Sequence, residues 1–169
     1  MKVIFLDVDG VLNSEETFVA THEVYKRTGE HLPDICENMV KRLGKIVKAT
    51  GAVLIMSSSW RGMYFRYLNG EPNINCEGLC NMLRKYDMDI EGYTPMIYEK
   101  GTCNSRGYEI RSWLSEHNDV ESFIVLDDEV FKDFGELENN LIKTTFYGKD
   151  GGLCDEHIIK AISILNDNK

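Results

Sequence analysis

Residues 3–13 read VIFLDVDGVLN, an apolar run that ends in Asp7 and Asp9 and is followed by a glycine. Short runs rich in Val, Ile, Leu or Phe recur along the chain, as buried parallel strands do. These runs are Val3 to Leu6, Ala52 to Met56, Phe123 to Leu126 and Leu141 to Thr145. Helical patterns alternate with them, which predicts an α/β fold: a three-layer α/β/α sandwich around a doubly wound parallel sheet.

Three helices follow from the apolar spacing. The first has Asp34 as its N-cap and Gly51 after its end, and its core-facing side chains are Ile35, Met39, Leu43, Ile46 and Val47. A second is predicted from Arg106 to His117, and a third begins near Asp155.

Two segments are less regular. Residues 14–33 are expected to hold a helix opened by Ser14 to Thr17, and residues 62–100 a helix around Glu77 to Tyr86 and a strand around Tyr93 to Tyr98. We predict one domain over residues 1–169, with small lid-like insertions around 14–33 and 62–100.

Composition limits the class of function. With 169 residues, 43% of them hydrophobic, the chain is predicted to be one soluble domain, and no apolar stretch is long enough for a membrane span. A formal net charge of −9 argues against general binding to duplex nucleic acid. The five cysteines are read as free thiols of a cytoplasmic protein: Cys36, Cys76, Cys80, Cys103 and Cys154. The oligomeric state is left open.

Asp7 and Asp9 lie where a parallel strand ends, the edge at which α/β sheets bind ligands. Two carboxylates at this spacing can divide the work of attack and proton transfer, and they attract a hard divalent cation. A calcium loop begun at Asp7 is excluded because Phe18 stands where a bidentate Glu is needed. Simple turn chemistry is the alternative for this pair.

Further polar residues follow two later strands. Ser57 and Ser58 come after Met56, where hydroxyl and amide groups could hold a phosphoryl oxygen. Asp127 and Asp128 end the run FIVLDD, and two adjacent acids repel each other unless a cation compensates them. Mg²⁺ would explain both acidic pairs.

The ordered motifs FLDVDGVLN, SSSWR, a basic residue and LDD resemble those of the haloacid dehalogenase (HAD) superfamily over essentially the whole chain. The resemblance implies a Rossmann-like HAD fold without a large cap domain, and a Mg²⁺-dependent phosphatase. It implies that Asp7 is the nucleophile and Asp9 the general acid and base. Asp7, Asp127 and Asp128 would hold the metal, and Asp9 would contribute its backbone carbonyl.

The same resemblance assigns the phosphate-binding residues. Ser57 and Ser58 would bind the phosphoryl group together with a basic residue, for which both Lys100 and Arg106 lie in the right interval. Arg106 is favoured because it starts the helix before the LDD strand, with an exposed surface arginine as the alternative.

A narrower resemblance concerns the substrate. SSSWR and the stretch RGYEIRSWL, residues 106–114, look like the HAD domains found beside RNA-repair enzymes, which are related to polynucleotide-end phosphatases. It implies a nucleotide, the terminal phosphate of a nucleic acid or another small phosphorylated compound as substrate. The alternative function is a catalytically weak HAD module that binds phosphorylated ligands or a protein partner. Trp60, Arg61 and Tyr64 could stack on a substrate base, although packing under the turn is favoured for Trp60.

Overall fold

The computed structural model describes residues 1–97 and 105–167. The five strands form one sheet in the order β3-β2-β1-β4-β5, and every neighbouring pair is parallel. The strands are β1 (Lys2–Leu6), β2 (Val53–Met56), β3 (Ile90–Tyr93), β4 (Ser122–Asp127) and β5 (Leu141–Lys143). The predicted α/β fold with a doubly wound parallel sheet is therefore confirmed.

Six α-helices and one 3-10 helix surround the sheet within the described part of the chain. They are α1 (Glu15–Thr28), α2 (Glu37–Thr50), α3 (Arg61–Leu68), α4 (Ile74–Lys85), α5 (Arg106–Glu116), α6 (Asp155–Asn166) and the 3-10 helix Gly135–Asn140. None of these helices is long and apolar enough to cross a membrane. The described residues form no separate cap domain.

The strand side chains alternate between two buried layers. Ile4 and Leu6 of β1 pack in the larger layer, which also holds apolar residues of α2, α4 and α6. Val3 and Phe5 point the other way, into a smaller layer with α5 and the 3-10 helix. Because both faces are covered, the strands read as continuous apolar runs, which is why they were recognisable in the sequence.

The strand order positions the candidate site. The chain runs outward through β1, β2 and β3 on one side and continues through β4 and β5 on the other, so the order reverses between β1 and β4. Crevices at such reversals, beyond the carboxyl ends of the strands, are where α/β sheets bind ligands. Asp7 follows β1 and Asp127 ends β4, so both lie at this crevice.

Two local expectations were wrong. The helix predicted to begin at Asp34 is α2, which begins at Glu37 after Cys36, so Asp34 does not cap it. The Asp34 carboxylate instead accepts a hydrogen bond of 2.5 Å from the Thr21 hydroxyl of α1. The strand expected around Tyr93 to Tyr98 is Ile90–Tyr93. That expectation also ran past residue 97, outside the described residues.

The two segments expected to be lid-like differ in what they contain. Residues 14–33 hold α1, as predicted. Residues 62–100 hold most of α3 together with α4 and β3, and α4 buries Cys76, Leu79, Cys80 and Leu83 in the core. Most of this second segment is thus part of the sheet and its packing.

Candidate active site

A buried asparagine shapes the loop that carries Asp7 and Asp9. The Asp7 N–H donates to the Leu126 carbonyl oxygen at 2.9 Å, which continues the pairing of β1 with β4 beyond the strand end. The Asn13 amide oxygen accepts from the Gly10 N–H and its amide nitrogen donates to Asp9 Oδ1, both at 2.9 Å. Asn13 lies within the FLDVDGVLN motif, but its side-chain role was not predicted.

The second oxygen of Asp9 is held by a residue of the turn that follows β2. The Trp60 indole N–H donates to Asp9 Oδ2 at 2.9 Å, so both carboxylate oxygens of Asp9 have donors. Trp60 is buried, as are Arg61 and Tyr64, so the idea that these three side chains stack on a substrate is wrong. Packing under the turn, the favoured reading for Trp60, is confirmed, and orientation of Asp9 is the role that was missed.

The side chains of the two serines after β2 differ in their hydrogen bonding. The Ser57 hydroxyl is buried and has no hydrogen-bond partner among residues 1–97 and 105–167. A buried hydroxyl without a partner is costly, and a phosphoryl oxygen would supply the missing bond. The Ser58 hydroxyl accepts from the Trp60 backbone N–H at 3.2 Å, and its hydrogen bond to Asp7 favours the charged carboxylate.

Arg106 reaches the acidic residues from the first turn of α5. Its Nη1 donates to Asp127 Oδ2 at 2.9 Å, lies 3.5 Å from Asp7 Oδ1, and also donates to the Ser57 carbonyl oxygen. The guanidinium carbon lies 5.0 Å from the centre of the Phe131 ring, a cation–π contact. The alternative of an exposed surface arginine is therefore wrong, and Lys100 lies outside the described residues.

Asp7, Asp127 and Asp128 form a compact acidic group. One carboxylate oxygen from each lies within 4.8 Å of the others. Gly10 makes this approach possible, because a Cβ at that position would lie 2.4 Å from Asp128 Cγ. The Asp9 side chain is bonded to Asn13 and Trp60 and is not part of the group, so a contribution of Asp9 to the metal would have to come from its backbone carbonyl.

Crowding and burial set the electrostatics of this group. Burial, and secondarily the charge of Asp7, raise the pKa of Asp127 to about 8 and that of Asp128 to about 6. Burial likewise raises the pKa of Asp7, although the nearby Arg106 opposes the shift. One guanidinium does not compensate three carboxylates, and clustered oxygen ligands suit a hard divalent cation such as Mg²⁺.

A comparison with protein-family models identifies the family of the chain. The family model described as the HAD domain in Swiss Army Knife RNA repair proteins matches residues 3–158. The chain belongs to this family. The matched range contains both acidic motifs, the serine motif and Arg106. The predicted resemblance is therefore confirmed at the level of the HAD domain. The comparisons with curated proteins and with solved structures gave no match.

A buried ion pair braces the site of this HAD domain. Arg61 Nη2 lies 2.7 Å from Glu109 Oε2, and both side chains are about 7% exposed. Arg61 also donates to the Ser58 carbonyl oxygen at 2.7 Å and to the Thr94 hydroxyl at 2.7 Å. The ion pair therefore links Ser58 in the turn after β2, Thr94 at the end of β3, and α5, the helix that carries Arg106. Its members are distant in sequence, and no local pattern identifies them as partners.

The HAD domain contains a second group with metal-ligand atoms, at the start of α6. Cys154, Glu156 and His157 have ligand atoms within 4.8 Å of one another, but the Cys154 N–H donates to His157 Nδ1 at 3.0 Å. This imidazole therefore caps the helix, and burial lowers its pKa. The four described cysteines are free thiols, with Cys76 and Cys80 buried in the core.

Proposed function

We propose that this HAD domain is a Mg²⁺-dependent phosphomonoester hydrolase that acts through an aspartyl-phosphate intermediate on Asp7. The observation that carries the proposal is the group of Asp7, Asp127 and Asp128 carboxylates, whose oxygens lie within 4.8 Å of one another. Arg106 forms ion pairs with two of them, Asp7 and Asp127. These residues come from β1, β4 and α5, so the fold unites them at one sheet edge. A simple turn role for Asp7 and Asp9 would require none of these long-range contacts.

Charge compensation supports a role for a cation. A carboxylate nucleophile and a phosphate monoester are both anionic and repel each other. Mg²⁺ held by Asp7, Asp127 and Asp128 would supply positive charge where the two meet. Arg106 contributes a permanent positive charge next to Asp7. The Ser57 hydroxyl, which has no partner among the described residues, could donate to a phosphoryl oxygen.

The proposed reaction has two steps. A carboxylate oxygen of Asp7 attacks phosphorus and the bond from phosphorus to the ester oxygen breaks, while Asp9 gives its proton to the leaving oxygen. In the second step Asp9 takes a proton from water, whose oxygen attacks the same phosphorus atom. The products are inorganic phosphate and the original Asp7 carboxylate. Asn13 and Trp60 hold Asp9 in place for both proton transfers.

The proposed substrate is a nucleotide or the terminal phosphate of a nucleic acid. The RNA repair setting of the matched family supports this class. The net charge of −9 argues against a broad duplex-binding surface and favours recognition of a single terminus or a free nucleotide. We expect the protein to act in the cytoplasm, in keeping with its free thiols.

Phosphate release tests the proposal. The purified protein is assayed with Mg²⁺ or with EDTA on sugar phosphates, nucleotides and oligonucleotides bearing 5′ or 3′ phosphates. We expect release to require the metal and to fall more than about 10³-fold in Asp7→Asn, because the nucleophile is lost. In Asp9→Asn, given p-nitrophenyl phosphate, whose leaving group departs without being protonated, the phosphorylated protein should accumulate and be detectable by intact mass, since the second step lacks its base.

Asp119→Asn is the matched control. Asp119 is an exposed aspartate before β4, at the opposite edge of the sheet, so its loss should leave phosphate release unchanged. Equal release by wild type and Asp7→Asn would remove Asp7 as the nucleophile. Binding of phosphorylated ligands without turnover of any substrate would favour the alternative of a catalytically weak binding module.

A further inference from the structure

The cleft that contains the Asp7, Asp127 and Asp128 carboxylates is larger than a phosphoryl group needs. Its volume is about 570 Å³, within the range of pockets that bury a whole small ligand. Besides the acidic side chains and Arg106, its lining includes four aromatic residues: Phe18, Phe131, Phe146 and Tyr147. With the phosphoryl group of a substrate bound near Asp7, the cleft would therefore still have room beside these rings for part of the substrate's leaving group.

One of the four rings already has a structural task. Phe131 lies under the Arg106 guanidinium and packs against the buried Phe134 at a centroid distance of 5.3 Å. The other three form a continuous row that we call the aromatic rim. The Phe18 and Phe146 centroids are 5.5 Å apart, and those of Phe146 and Tyr147 are 5.1 Å apart.

Two of the three contiguous side chains of the aromatic rim are exposed, and Phe146 between them is half-buried. Phe18 is 38% exposed and Tyr147 is 71% exposed, whereas the core rings of Phe5 and Phe134 are fully buried. Single exposed apolar side chains are ordinary, but a connected patch beside a polar cleft is typical of a ligand surface. The rim also has a backbone anchor, because the Glu15 N–H at the start of α1 donates to the Phe146 carbonyl oxygen at 2.9 Å.

Charge narrows the chemistry of the ligand. Among the described residues that line the cleft, Arg106 is the one cation, and Glu129 adds an acid to the four catalytic aspartates. A second phosphate held inside the cleft would meet carboxylates and be repelled, so the rest of a strand would have to lie outside the cleft. A flat, uncharged ring beside a single phosphoryl group fits both the aromatic rim and this charge distribution.

We propose that the aromatic rim is a base-stacking subsite. It takes the nucleobase of a nucleoside monophosphate, free or at the end of a strand, while the phosphoryl group lies between Asp7 and Arg106. The proposal rests on the phosphatase function proposed above and adds the residues that select the leaving group. Stacking on aromatic faces tolerates every base, so we expect little discrimination among the four bases.

The test compares substrates that differ only in the base. Turnover of adenosine 5′-monophosphate is measured against ribose 5-phosphate, which has the same phosphate ester but no aromatic base to stack. We expect kcat/KM to favour the nucleotide by about tenfold or more in the wild type, mainly through KM, a size consistent with the loss of one stacked base. In Tyr147→Ala and Phe18→Ala this ratio should fall towards one.

Ile159→Ala is the control, since Ile159 is an apolar side chain on α6 that is 76% exposed, similar to Tyr147. It should keep the wild-type ratio. Equal kcat/KM for the two substrates in the wild type would overturn the subsite and leave the phosphatase proposal standing. A clear preference for a phosphotyrosine peptide over the nucleotide would also overturn it.

A binding measurement keeps the inference separate from catalysis. If neither compound is hydrolysed, the phosphatase proposal fails for them, and calorimetry in Mg²⁺ compares their affinities. Tighter binding of the nucleotide that is lost in Tyr147→Ala supports the subsite, and equal affinities overturn it. A third arm with a 5′-phosphorylated oligonucleotide distinguishes a strand end from a free nucleotide, because the better substrate identifies which source the rim serves.

Discussion

Helices α1 and α2 have the same length and the same type of ending, yet they differ in what they bury. Each has 14 residues, and each ends at a glycine with a left-handed backbone conformation. Helix α2 buries Met39, Val40, Leu43 and Ile46 against the sheet. None of the described residues Glu15–Thr28 of α1 is buried.

The difference in burial shows that α2 contributes to the hydrophobic core, whereas α1 contributes to the cleft of the candidate site. Helix α2 lies across the sheet and packs against α6, so its apolar face supplies part of the core. Helix α1 starts at the crevice of the candidate site, and its exposed Phe18 lines the cleft there instead of the core. An apolar helical face thus predicts that something will cover it, but it does not say whether that is the core or a ligand.

The largest expected effect is on stability in α2. Leu43→Ala removes a fully buried side chain and should lower the free energy of unfolding by about 2–5 kcal/mol. Val19→Ala in α1 truncates a side chain that is 58% exposed and should change it by less than about 0.5 kcal/mol. Urea denaturation of both variants measures the difference. Losses of similar size would mean that α1 carries as much of the fold as α2.

The sequence predicted the parts of the fold that depend on local pattern. The apolar runs became strands, and the spacing around Ile110 and Ile158 became α5 and α6. The edge rule for parallel sheets also brought Asp7 and Asp127 together correctly, because it depends only on where the strands end.

What local pattern missed depends on partners that are distant along the chain. Asp34 reads as a helix cap, but the Thr21 hydroxyl, 13 residues earlier, holds its carboxylate. Trp60 reads as a packed ring, and its bond to Asp9 appears only once β1 and β2 lie side by side. Such long-range hydrogen bonds leave no periodic signal in a single sequence.

The second prediction contrasts the charged cleft with the apolar core. The pKa of Asp127 is raised to about 8 by burial and then by Asp7, and that of Asp128 to about 6. Folded protein therefore holds protons that the unfolded chain releases near pH 4, so the stability of the metal-free protein should fall as pH rises from about 4 to 8. Thermal melts in EDTA across this range measure the decline.

Magnesium should reverse that decline. Cation binding compensates the ionised carboxylates and competes with protons, so Mg²⁺ should stabilise more at about pH 8 than at about pH 5. At about 100 times its Kd, the metal should add about 2–3 kcal/mol at the higher pH. Asp127→Asn should flatten the pH dependence and weaken the Mg²⁺ effect, whereas Leu43→Ala should keep both. An equal effect of Mg²⁺ at the two pH values would contradict the proposed ligands.

The smallest effect, about 1 kcal/mol, comes from the two helix ends. Gly29 and Gly51 have φ of 74° and 69°, and a Cβ on either would meet no atom within 4 Å. Alanine therefore imposes the same local backbone cost of about 1 kcal/mol at both positions. Gly51→Ala should lower the free energy of global unfolding by that amount, because α2 cannot fray without exposing core. Gly29→Ala should leave it unchanged and instead speed amide hydrogen exchange in the last turn of α1, since that end can open alone. Equal global losses would show that α1 unfolds together with the core.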